Sequence, residues 1–161
     1  MYTCNARITV TFTLALMLAA LWSLYPKEAL SEEKNTYVGS DACKGCHELE
    51  FKNFISYAKK AHSYKDVKIL SKKLTSSELV ECFECHTTGY GKPGGFRSEQ
   101  ETPHLKDAGC EACHGPGSTH CETGDPKDIK GKLVAKDCET CHNPERVKAF
   151  NYRPLVYGGA H

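Results

Sequence analysis

A Cys-x-x-Cys-His sequence occurs four times in this chain: Cys43, Cys46 and His47; Cys82, Cys85 and His86; Cys110, Cys113 and His114; Cys138, Cys141 and His142. Two thiols three positions apart reach the two vinyl positions of one porphyrin, and the adjacent imidazole then lies under the iron as its proximal ligand. The rival readings of a single copy are a zinc knuckle or a redox dithiol. Zinc sites pair two Cys-x-x-Cys units and place no demand on the next residue, whereas here histidine follows all four. Thioredoxin-like motifs need a βαβ context, which this sequence lacks. Four covalently bound haem c groups are the expectation, with structural zinc as the alternative.

The segment before the first motif reads as a targeting signal. Residues 1–7 carry Arg7, residues 8–24 form an apolar run diluted by threonines, and Ala29, Leu30 and Ser31 supply small residues at the usual cleavage positions. The expected division is a signal peptide at 1–31 and a tetrahaem domain at 32–161. An uncleaved anchor at 8–24 is the alternative, because 17 apolar residues lie at the short end for a membrane span. Either way the folded part is exported, to the periplasm or outside the cell. Without Arg7, Lys27 and Glu28 the charges balance, 19 against 19. Haem propionates would make the loaded protein acidic, which argues against nucleic acid as a partner. The basic residues Lys59, Lys60, Lys65, Lys68, Lys72 and Lys73 read as a solvated helix face, or as a docking patch for an acidic redox partner. Cys121 is the one mature cysteine outside the motifs, and is expected to be an unpaired buried thiol.

A domain of this size has little apolar core of its own, so porphyrins must supply much of the buried surface. The expected fold is a small, single domain, mainly α with long irregular loops and haems as its core. Asp41 is placed as an N-cap before the first motif. Leu49, Phe51, Phe54, Ile55, Ala58 and Ala61 follow at mostly helical spacing and end at His62. Their stripe reads as packing rather than as a site. A continuous helix there would set His47 and His62 about 22 Å apart along its axis, too far to clamp one iron. Residues 66–81 are again helical, with a capping box partway along at Thr75 to Glu78. Residues 87–96 are too rich in glycine to be anything but a loop, and they contain no phosphate-binding pattern. Thr102, Pro103 and His104 read as the start of a helix running into the third motif. Asp137 is placed as the cap of the fourth. The tail, 143–161, reads as an extended strap over haem faces.

Ligand arithmetic sharpens the picture. The two methionines, Met1 and Met17, both lie in the leader. Four histidines remain beside the proximal ones: His62, His104, His120 and His161. Four irons and four spare imidazoles invite bis-histidine ligation, with His161 the weakest candidate because it is the last residue. It is read as serving its own chain, a neighbouring chain in an oligomer or filament, or neither. Ligation without methionine implies rather low potentials.

Tyr37-Val-Gly-Ser40, Ala61-His62, Cys85-His-Thr-Thr-Gly-Tyr90 and Cys113-His-Gly-Pro-Gly-Ser-x-His120 together resemble the multihaem cytochromes related to cytochrome c-554. The likeness covers most of residues 37–121. It implies an exported, mainly helical tetrahaem protein whose haems pack in close pairs and pass electrons between other redox proteins. It also implies that His62 and His120 are distal ligands donated to haems other than their sequence neighbours. Some members leave one haem without a sixth ligand.

The leading reading of function is therefore an electron carrier and not an enzyme, with no catalytic residues. The alternatives are a reductase of nitrite, hydroxylamine or nitric oxide at one open haem, and a membrane-anchored quinol dehydrogenase using residues 8–24. The latter expects a methionine soon after the first motif, where this chain has Glu48, Leu49 and Glu50.

Overall fold

Glycine, proline and four motifs in about a hundred residues leave little room for long helices, and the helices are accordingly short. The computed structural model describes residues 35–145. The leader, His161 and nearly all of the expected strap fall outside them. In order come α1 (Ser40–Cys43), α2 (Glu48–Tyr57), α3 (Tyr64–Leu70), α4 (Ser76–His86), α5 (Cys110–His114), α6 (Ser118–Thr123) and α7 (Ala135–Cys138). Single 3-10 turns lie at Lys59–His62, Ser71–Lys73, Pro103–Leu105 and Pro126–Asp128, and there is no strand among the described residues. The fold is mainly helical with long irregular connections, as the sequence suggests. Among the described residues no helix is long and apolar enough to cross a membrane.

The helix ends depart from expectation in instructive ways. The run after the first motif is not continuous to His62. Ala58 is extended (φ −86°, ψ 112°), so α2 stops at Tyr57 and Lys59–His62 forms a separate turn. Asp41 is not the first cap either: Gly39 takes that place at φ 85°, and Asp41 lies within the first turn of α1. At Thr75 the capping box is real, but Leu74 is extended before it (ψ 147°), so the box opens a new helix, α4. Thr75 Oγ1 accepts from Glu78 N while the Glu78 carboxylate accepts from Thr75 N at 2.8 Å. The Thr75 N–H and hydroxyl, both donating to it, hold the Glu78 carboxyl below its ordinary value. Thr102 and Pro103 start only a single turn; the third motif begins its own helix behind Gly109. Asp137 is the third residue of α7, and its carboxylate reaches back to Val134 N at 2.9 Å.

Apolar burial is scant. Eight apolar residues are buried among those described. Tyr37, Phe96 and Leu105 form one cluster, with Tyr64, Phe83 and Tyr90 packed against it. Phe83 meets both Tyr90 and Phe96 edge-on with ring centroids 5.3 Å apart, a geometry that aromatic quadrupoles favour. Phe54, Ala58 and Ala61 form a second cluster against Cys110. Helix α2 buries Phe54 but exposes Leu49 and Tyr57, at 66% and 71%. Most of the basic stretch is solvated; Lys68 pairs with Glu99 at 3.0 Å, and Lys60 lies half-buried 6.0 Å above the Phe54 ring.

The glycine loop after the second motif folds back on itself, with Lys92 N donating to Gly89 O and Phe96 N to Thr88 O. A Cβ on Gly95 would collide with the Gly89 backbone carbonyl. Gly95→Ala is therefore expected to destabilise the protein by about 1–3 kcal/mol through overpacking, checked as a lowered thermal midpoint.

Candidate haem-binding sites

Each motif is wound into roughly one helical turn. His47 N donates to Cys43 O at 2.9 Å, and His142 N to Cys138 O at 2.8 Å. The second motif is the last turn of α4, and the third is the whole of α5. Positions i, i+3 and i+4 share one helix face, so each turn presents two sulfurs and one imidazole to the same side. That donor set suits one porphyrin edge and its iron.

The imidazoles are aimed by backbone carbonyls. His86 Nδ1 donates to Ser63 O at 3.2 Å, and His114 Nδ1 to Lys130 O at 2.6 Å. A carbonyl only accepts, so the proton is fixed on Nδ1 and the lone pair is left on Nε2, the state a metal ligand needs. His120 is held in the same way, by Asp125 O at 2.9 Å. Burial and the charge of Lys60 lower the pKa of His142, which favours its neutral form.

His120 comes to rest opposite His47, with ring centroids 6.3 Å apart and planes inclined by 31°. Two imidazoles this close could hold one haem iron between them, with His47 and His120 as its ligands. This arrangement is set by the segment before α1, which is tied to the turn before α6. Asn35 Nδ2 donates to Pro116 O (2.8 Å), Thr36 N to Ser118 Oγ (2.8 Å), and Ser118 N to Thr36 O (3.1 Å). The Glu111 carboxylate, buried within α5, accepts from Val38 N, Gly39 N (2.7 Å) and Gly117 N (2.8 Å).

The other spare histidines are placed differently. His62 directs Nε2 to Ile55 O at 3.0 Å, beside Ala61, which shares a cluster with Cys110. His104 is exposed on a turn anchored by the fully buried Leu105, and a Cβ on Gly39 would lie 3.2 Å from its ring.

Thiols of different motifs approach one another. Cys43 and Cys110 share a hydrogen bond, which together with burial pushes Cys43 up and, against burial, draws Cys110 down to about 6. Burial and a hydrogen bond with Cys85 push Cys141 up to about 12. Burial raises Cys138 as well, aided by nearby Cys113. Cys121, expected to be buried, is instead exposed, on the short surface helix α6 beside the half-buried His120.

Helical turns carrying two thiols and a Nδ1-tethered imidazole define a c-type cytochrome, and the number of motifs makes it a multihaem one. Its sequence relatives agree. The family model for cytochrome c554 and c-prime matches residues 42–115. Cytochrome c-554 of Nitrosomonas europaea is 30% identical over 166 residues, covering 90% of this chain and 70% of that protein. Multiheme cytochrome MtrC of Shewanella baltica is 28% identical over 101 residues, half of this chain but 16% of that protein. No solved structure matches. The chain belongs to the cytochrome c-554 family: it is an electron carrier with covalently bound haem c that works with other redox proteins.

Two features escape a reading of the motifs. Glu111 occupies a variable position inside one. Ser63 sets its Oγ 2.8 Å from both Lys60 O and His86 O, and accepts from Ala108 N at 2.9 Å, so one buried hydroxyl positions His86. Its place directly after His62 is the only local signal for it. Ser63→Ala would strand the buried Ala108 N–H, and a loss of about 1–3 kcal/mol is expected, checked by denaturant titration of the haem-loaded protein.

Proposed function

We propose that this chain is an exported tetrahaem c-type cytochrome, periplasmic or extracellular, that relays electrons between redox partners through closely packed bis-histidine haems. Cys43 and Cys46, Cys82 and Cys85, Cys110 and Cys113, and Cys138 and Cys141 hold the four porphyrins. His47, His86, His114 and His142 are the proximal ligands. Bound haem supplies one-electron iron chemistry. The facing pair of His47 and His120 carries the reading, because a protein nitrogen on each side of an iron leaves no position for a substrate. His120 accordingly serves the first motif. His62 is assigned to the third, on the packing of Ala61 against Cys110, and would give up the contact of its Nε2 with Ile55 O on binding iron. His104 and His161 complete the distal set.

The thiol contacts support a relay. Cys43 lies against Cys110, and Cys141 against Cys85. The attachment points of the first and third motifs, and of the second and fourth, are thus neighbours. Neighbouring attachment points bring porphyrin edges together, which is what fast electron transfer between them requires.

Two measurements test this. Intact mass of the secreted protein is expected to equal residues 32–161 plus four haems; a lower haem number would overturn the tetrahaem assignment. Carbon monoxide binding and EPR are expected to differ between the native protein and His120→Ala by one haem per chain, low-spin becoming high-spin and gaining carbon monoxide affinity. An unchanged spectrum would remove His120 from the ligand set. A high-spin haem already present in the native protein would bring the small-molecule reductase reading forward.

A further inference from the structure

Glu111 stands apart from the other carboxylates among the described residues. It is 2% exposed. Its oxygens accept only from backbone, at Val38 N (3.0 and 3.1 Å), Gly39 N (2.7 Å) and Gly117 N (2.8 Å). The ion pairs among the described residues, Lys68 with Glu99, Arg97 with Glu101 and Lys130 with Asp137, do not include it. Peptide dipoles fix such a charge in place without cancelling it. It is bonded in sequence to Cys110, and Cys110 lies against Cys43.

We propose that Glu111 is a potential-setting residue, whose buried negative charge lowers the reduction potentials of the haems held by the first and third motifs relative to the other two. This rests on the haem assignment above. Ferric haem carries one more positive charge than ferrous haem, so an anion in a low-dielectric surrounding stabilises the oxidised form. Addition of an electron, Fe(III) to Fe(II), is then harder at these two sites. The reach of the charge shows at the Tyr37 phenol, which burial and then Glu111 push up. A purely structural role, clamping the 35–39 segment to the Gly-Pro-Gly turn, would leave potentials untouched once the fold is intact.

The test is a spectroelectrochemical titration of haem-loaded Glu111→Gln, Glu111→Asp and Asn35→Ala. Glu111→Gln removes the charge and keeps the shape. It is expected to shift two of the four couples upward by about tenfold in their ferrous-to-ferric ratio at fixed potential, about 59 mV for a one-electron couple, with low-spin spectra retained. Asn35→Ala loosens the same clamp but keeps the charge, and its potentials are expected to stay at native values. Four unchanged couples in a low-spin Glu111→Gln, or an equal rise in Asn35→Ala, would overturn the proposal. Should Glu111→Gln not accumulate, Glu111→Asp decides: it keeps the charge, and a risen pair of couples there would also overturn it. Haem number read by mass on each sample separates a failure of this inference from a failure of the tetrahaem assignment.

Discussion

A carboxylate withdrawn from water must find donors or impose a heavy penalty, and Glu111 finds its donors in two segments that are otherwise far apart. Val38 and Gly39 come from the chain entering the first motif; Gly117 comes from the turn leaving the third. Asn35 and Ser118 extend the same seam. The placement of α1 and α6, and hence of His47 opposite His120, follows from this seam. Gly39 suits it twice over, by its positive φ and by leaving room for His104.

A second seam does the same for the middle of the chain. Ser63, Thr88 and Asp107 exchange hydrogen bonds among the turn after α2, the loop after α4 and the approach to α5: Tyr64 N to Asp107 Oδ1, Thr88 Oγ1 to Asp107 O, Gly109 N to Thr88 Oγ1. Polar side chains bonded to backbone take over work that apolar packing performs in larger domains. With so few buried apolar residues, the order of the polypeptide rests on these bonds and on the aromatic cluster of Phe83 and Phe96.

What the sequence discloses is what is local. The i, i+3, i+4 spacing of Cys110, Cys113 and His114 dictates their shared helix face, the capping box at Thr75 is a four-residue pattern, and the glycines after Thr88 admit no helix. Boundaries set by distant partners are not legible in this way. Ala58 is a good helix former by propensity, yet the helix breaks there because Ser63 must reach His86 and Ala108. Asp41 and Asp137 are good caps by type, but Gly39 and Val134 occupy those positions, since contacts upstream fix where the chain turns. Glu111 looks like any solvent-facing glutamate within a motif; besides nearby Gly117, its partners Val38 and Gly39 lie more than seventy positions away. Cys121 reverses its expected burial because its helix, α6, lies at the surface and buries none of its residues.

The pairing of His47 with His120 has a topological meaning as well as an electronic one. In the proposed arrangement a single iron, tethered covalently beside His47, ties together positions 73 apart. Such a bridge acts on the unfolded chain as a disulfide would, and for a loop of that length the lost chain entropy corresponds to about 4 kcal/mol. Unlike a disulfide it opens by exchange of one ligand, with every thioether intact. The linkage that closes this long loop is thus reversible and answers to the chemistry of the metal, so that mechanical integrity and ligation state become one property of the molecule.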